Sequence, residues 1–196
     1  MTVFRWFAAV LLAALVSSPG IAAPERFVLD ESHVSVGFLA GHAQFARVLG
    51  QFTEVSGDFV YDAQTRTLAS AEVTIAADSV FTAHEGRDEH LRDGDFLDAG
   101  AHPTIRFVAT DYQADDDRSG TVTGDLTLRG VTRPITLDVT LNRRGPHPIG
   151  GADTLGGSLR GSLRRSEFGM TYALEGELVS DRIDLIIEFE ATRDDE

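Results

Sequence analysis

Apolar and polar residues alternate along most of this chain, segment after segment, with the period of a strand that buries one face. Val34, Val36 and Phe38 share one side, as do Val55, Gly57, Phe59 and Tyr61. Ala71, Val73 and Ile75 make a third set, and Ile105, Phe107 and Ala109 a fourth. Val122 to Leu128 and Ile135 to Leu141 alternate over longer runs, against Thr, Asp and Arg on the reverse. Leu159 with Leu163, and Ile183, Leu185, Ile187 and Phe189, complete about eight strands. Turn-forming stretches separate them: "YDAQTRT", "ADDDRSG" and the glycine-rich "GPHPIGGADTLGG". Connections this short predict antiparallel pairing.

The pattern defines an all-β fold, which a sandwich and a closed barrel both satisfy. Gly57, Gly124, Gly157 and Gly161 all fall on the apolar parity, so the inward face repeatedly lacks a side chain. Such glycines either leave a lumen unfilled or relieve bending at barrel corners. Both alternatives favour a curved, closed sheet, and a barrel of about eight strands is wide enough for one slender ligand.

Residues 1–23 stand apart. Arg5 precedes an unbroken apolar run from Trp6 to Val16, followed by Ser17, Ser18 and Pro19, the make-up of a cleaved secretory signal. As a helix that run covers about 16 Å, against roughly 30 Å for a bilayer core, so it is too short to span. Cleavage is expected after Ala23, leaving 24–196 as a single domain exported to a bacterial periplasm. The absence of cysteine excludes disulfides and a thiol nucleophile, and suits an oxidising compartment.

The chain carries 31 acids and a net charge of −14, and removing the signal takes away one arginine and no acid. Nucleic acid and anionic lipid surfaces are therefore disfavoured partners. All 17 basic residues are arginine, which excludes lysine Schiff-base chemistry and a P-loop. Nucleophile-elbow and dinucleotide fingerprints are missing too, and no cofactor is expected.

Candidate chemistry concentrates in "GRDEHLRDGDFLD", residues 86–98. Thr82 and Glu85 have capping-box spacing, predicting a short helix from near Ala83 to Gly94, with an Asp88–Arg92 pair one turn apart. Its faces are polar, so Leu91, Phe96 and Leu97 are expected to pin it on an apolar rim as the cap of one barrel end. His84 and Asp88 share a helix face without a third ligand, which argues against a metal there. Asp115, Asp117 and Ser119 match the opening of a calcium loop, but Leu126 stands where glutamate is needed, so a hairpin turn is the better account.

With these residues assembled, the chain resembles the YceI-like family of secreted polyisoprenoid-binding proteins. Arg87, Asp88, His90, Leu91, Arg92, Asp95, Phe96 and Asp98 match that family's R-D-x-H-L-R-x-x-D-F-x-D signature, continuing to His102, Pro103, Ile105 and Phe107. "GDLTLRGVTRPI", "RSEFG" and "SDRIDLIIEFEA" are similar to further family motifs, as are Asp30, His33, Val36, Phe38, His42, Gly50 and Phe52. Val34 departs from the serine common after the histidine, and 145–157 is unusually rich in glycine.

The resemblance implies a lipocalin-like antiparallel barrel whose tunnel holds an isoprenoid, polyprenyl or quinone-type, or another long-chain lipid, without catalysis. Lining residues are then expected at Phe38, Phe52, Phe59, Phe107, Leu126, Leu137, Val139, Ile187 and Phe189, with His42 and His90 as polar contacts to a head group. Phe52 and Phe59 lie on opposite parities, which requires a bulge between Gln51 and Val55 if both face inward. The rival reading is an enzyme with a carboxylate/histidine site at the barrel mouth. A homodimer is left open.

The only tryptophan, Trp6, leaves with the signal. The exported form should therefore fluoresce from Tyr61, Tyr112 and Tyr172 alone, and tryptophan emission from it would contradict the cleavage.

Overall fold

Each alternating segment pairs with its neighbour along the chain, and the last pairs with the first, in a computed structural model that describes residues 24–194. The expected signal over 1–23 lies outside the described residues. The sheet is a closed antiparallel barrel of eight staves, three of which are broken into two lengths. β1 (Glu25–Leu29) and β2 (Ser35–His42) are successive lengths of the first stave. Both pair with the same edge of β11 (Val179–Arg193), β1 through Phe27–Leu29 and β2 through Ser35–His42. β3 (Ala46–Phe52) and β4 (Val55–Asp62) form the second stave, opposite β2 and β1 respectively. β5 (Thr67–Ala76) pairs with β4, and after a 3-10 turn at Ala77–Ser79 the short β6 (Val80–Phe81) pairs with β3.

The remaining staves are unbroken. β7 (Thr104–Ala114), β8 (Ser119–Leu128), β9 (Val131–Pro146) and β10 (Asp153–Arg164) each pair with the next, and β10 meets β11. The eight strands expected from alternation are thus eight staves. β1, β3 and β6 escape the pattern for a physical reason. In β3 the outward positions include Leu49, 63% exposed, while an inward one is Gly50, so polarity no longer marks the faces.

Phe52 and Phe59 need no bulge between them, because the chain ends one strand at Phe52 and begins another at Val55. Thr53 donates its N–H to the Ser79 carbonyl across that break (3.2 Å). Parity restarts there, and both rings face inward.

Short hairpins occur at both ends of the barrel, including β2–β3 and β8–β9 at the capped one, but the long connections lie at one end only. At one end the turns β4–β5, β7–β8 and β9–β10 are short hairpins beside the first and last strands. The other end carries helix α1 (Glu85–Arg92) between β6 and β7, and the 165–178 segment between β10 and β11. Leu97, Ala99, Phe168 and Met170 from these connections are buried with Val36, Val55, Ile75 and Val80 of the wall. The expected cap is present.

Its local details differ from the spacing rules. The N-cap of α1 is His84, whose Nδ1 accepts the Arg87 N–H (3.2 Å), and not Thr82. Thr82 instead donates its N–H (2.8 Å) and its hydroxyl to the buried Asp88 carboxylate. Asp88 is turned toward Thr82, and the anticipated Asp88–Arg92 pair does not form. Arg92 donates to the carbonyls of Asp78 (2.7 Å) and Val80 (3.0 Å), tying helix to wall.

"ADDDRSG" is a hairpin turn, as the spacing predicted, in which Asp116 accepts the N–H groups of Arg118 (2.7 Å) and Ser119 (2.8 Å). Asp62 does the same for Gln64 (2.8 Å) and Thr65 (3.2 Å) in the β4–β5 turn. Backbone donors favour the ionised form, so both carboxyls titrate below the usual carboxylate range. A group with a depressed folded pKa stabilises the fold above its unfolded value and loses that contribution as pH falls through the folded one. Denaturant titration of the native chain and of Asp62→Ala/Asp116→Ala should show a gap near neutrality that closes in acid. A gap that persists at pH 2 would reject this account.

Candidate functional site

Inward-facing residues of all eight staves surround a cavity of about 300 Å³. Its surface is entirely apolar, and its volume reaches the lower limit of ordinary ligand pockets. Phe38, Phe52, Phe59, Phe107, Leu126, Leu137, Val139, Ile187 and Phe189 all line it, as do Leu91, Phe96 and Leu97 from the cap. Alternation explains the set, since each residue lies on the inward parity of its strand. His42 and His90 are not among the lining residues. His42 is exposed at the end of β2. His90 contacts Asp95 (3.0 Å) and packs edge-on against Phe96 and Tyr172, at centroid distances of 5.0 and 4.9 Å.

Both meanings of the inward glycines are realised, and at Gly124 they coincide, since a Cβ there would meet the Val108 carbonyl as well as a ring. A Cβ on Gly57 would collide with backbone atoms of β5, the mark of a tight corner. A Cβ on Gly50 would overlap the Phe38 ring, and one on Gly124 the Phe107 ring. At Gly157 it would come within 2.7 Å of Phe189. The rings therefore lie along the wall over neighbouring glycines instead of projecting across the bore. The lumen is hollow because these rings are folded back.

At the hairpin end, Tyr61, Leu141 and Leu155 face the bore on one side and a second pocket of about 200 Å³ on the other. Arg66, Asp117, Arg118, Asn142, Arg143 and Arg144 also line this vestibule. Arg144 is drawn to Glu25 (2.5 Å) and Asp153 (2.9 Å), and lies over the buried Phe27 ring. Tyr61 and Tyr112 meet edge to face, and burial pushes both phenols up. The polar chemistry adjoining the bore is thus concentrated at the end opposite His42 and His90.

The capped end depends on Arg165, which the sequence reading passed over. Only 2% exposed, its guanidinium donates to the carbonyls of Met170, Tyr172, Val179 and Ser180 at 2.8–2.9 Å. It also lies 5.7 Å from the Phe96 ring centroid. Burial lowers its pKa from an ordinary value so high that the group stays charged. The signal available was "RSEFG" itself, an arginine opening a short turn between two strands.

A closed eight-stranded barrel with an apolar bore, a buried-arginine cap and a polar vestibule places the chain among lipocalin-like barrels. Within that class it belongs to the YceI-like family, whose domain model matches residues 27–191. A UPF0312 protein of Pseudomonas paraeruginosa is 33% identical over 191 residues, covering 96% of this chain and 98% of that one. The crystal structure of a Campylobacter jejuni YceI protein superposes with a TM-score of 0.72 at 32% identity, covering 79% and 90%. A polyisoprenoid-binding domain from Saccharophagus degradans shares the fold, with a TM-score of 0.63 at 14% identity and coverage of 86% and 98%.

If the glycines keep the rings against the wall, Gly157→Ala should cost about 1–3 kcal/mol, as overpacking does. Phe189→Leu in the same chain should recover much of that loss, and denaturant unfolding of the four-variant cycle measures the coupling. Strict additivity would show that ring and glycine do not interact.

Proposed function

We propose that the protein is exported to the periplasm and sequesters a long-chain lipid of the isoprenoid class in its bore, without catalysis. The observation that carries this reading is a wholly apolar cavity enclosed by a barrel whose outer wall is charged. Roughly 0.8 kcal/mol per buried CH₂ means that some ten methylenes contribute on the order of 8 kcal/mol before ordering costs are subtracted. Family membership and the name of the Saccharophagus domain support the isoprenoid class. The vestibule gives a polar head group a place at the hairpin end, so the arginines there replace His42 and His90 as the favoured head-group contacts. Against the enzyme reading stands the position of the His90–Asp95 pair, which borders the cap and lines neither the bore nor the vestibule.

Organic extraction of the purified 24–196 chain followed by mass spectrometry should release about one isoprenoid per protein. Ile187→Trp, which places an indole in the bore, should fold normally and release none. A native chain that stays empty after exposure to candidate isoprenoids would overturn the proposal, as would undiminished loading of Ile187→Trp.

A further inference from the structure

Where β11 changes partner from β2 to β1, the first stave is interrupted at residues 30–34, and chemistry distant in sequence converges. Asp30, His33 and Glu190 each bring one potential ligand atom within 4.8 Å of the others, the one such group among the described residues. A fourth donor stands beside them: His147 Nε2, from the β9–β10 turn, is 3.9 Å from a Glu190 carboxylate oxygen. We infer that Asp30, His33, His147 and Glu190 form a site for a divalent transition metal of the zinc type, clasping the seam at which the barrel closes.

The backbone fixes the cluster independently of any ion. Asp30 donates its N–H to the Glu190 carbonyl (2.9 Å), and Glu190 donates its own to the His33 carbonyl (3.2 Å). The Asp30 carboxylate accepts the N–H (2.9 Å) and hydroxyl (2.6 Å) of Ser32 and contacts His33 Nδ1 at 2.7 Å. The His147 ring is held through Nδ1 by the backbone of Ile149 (2.8 Å to its carbonyl), leaving Nε2 toward Glu190. The His147 ring, held at one nitrogen by the backbone, is oriented as metal-bound histidines usually are, and at His33 an ion would take the place of the proton shared between Nδ1 and the Asp30 carboxylate.

Donor chemistry selects the ion. Two imidazoles and two carboxylates suit zinc, and copper or nickel after it, whereas calcium and magnesium prefer oxygen alone. The side chains are between 32% and 57% exposed, so the site is open on one side, with room for water as a further ligand. Charge agrees, since the chain is strongly acidic. A bound ion would tie the interrupted first stave to β11 and to the β9–β10 turn, adding to the backbone bonds that already cross the junction.

The chelator-stripped 24–196 chain titrated with zinc chloride in a calorimeter should take up one ion per protein, with a rise in melting temperature. Glu190→Gln, which preserves shape on an exposed wall, and His147→Ala, in a turn, should each weaken uptake by about tenfold or more and abolish the thermal shift. Their own metal-free melting temperatures control for misfolding. Absence of saturable uptake by the native chain would overturn the inference. Uptake unchanged in both variants would place the ion elsewhere, with the same consequence.

Discussion

Phenylalanine rings lying over glycines on adjacent strands are the contact on which this structure rests. An eight-stranded barrel is only just wide enough for its own side chains to fill, and protein interiors normally pack to crystal density. Leaving such a barrel hollow requires that its largest inward groups be directed along the wall. Phe38 over Gly50, Phe107 over Gly124 and Phe189 over Gly157 do this around the circumference. Aromatic surface is still removed from water, so the wall keeps much of its hydrophobic stabilisation while the centre remains free.

A hollow apolar bore also dictates the chemistry of its ends, because every unsatisfied backbone group near it is costly. Among the described residues no buried side-chain polar atom lacks a hydrogen-bond partner. The ends reach that condition differently. At the capped end a single guanidinium gathers four carbonyls of an irregular loop, a load that arginine's fork of donors can bear and lysine's three cannot. At the hairpin end short turns satisfy their own backbone through Asp62 and Asp116, and the arginines remain on the rim. Charge is kept at both ends, and Arg165, the charged residue of the lining, turns its donors away from the bore to the loop carbonyls.

Alternation made the staves, their antiparallel order, the inward aromatic set and the capping segment legible in the sequence. What it could not convey were interactions set by three-dimensional proximity. The coming together of His33, His147 and Glu190 follows from barrel closure, which no local window contains. Thr82 satisfies the spacing of an N-cap, yet a buried carboxylate six residues on competes for its hydroxyl and wins. Arg92 has Asp88 one turn away, but carbonyls of the wall offer it a more enclosed set of acceptors. Local rules failed where tertiary acceptors were stronger than helical neighbours, and those places are the joints between cap and barrel.

The three broken staves adjoin one another, and their breaks follow a common logic. A long strand that must curve sharply cannot keep both its ladder and its inward parity, so the chain interrupts pairing and restarts it. Each interruption supplies its own replacement bonds. At the first, Asp30 takes the Ser32 donors and exchanges backbone bonds with the far side of the seam. Between β3 and β4, and again between β5 and β6, one residue serves both breaks. The Ser79 carbonyl receives Thr53, its hydroxyl receives the Glu54 N–H at 3.2 Å, and that hydroxyl donates to the Ala76 carbonyl at 2.7 Å. Val80, 1% exposed, is thereby turned into the core beside Val36 and Val55. The bend that draws the wall over the cap is therefore made by relocating hydrogen bonds, and it leaves the apolar lining continuous across all three breaks.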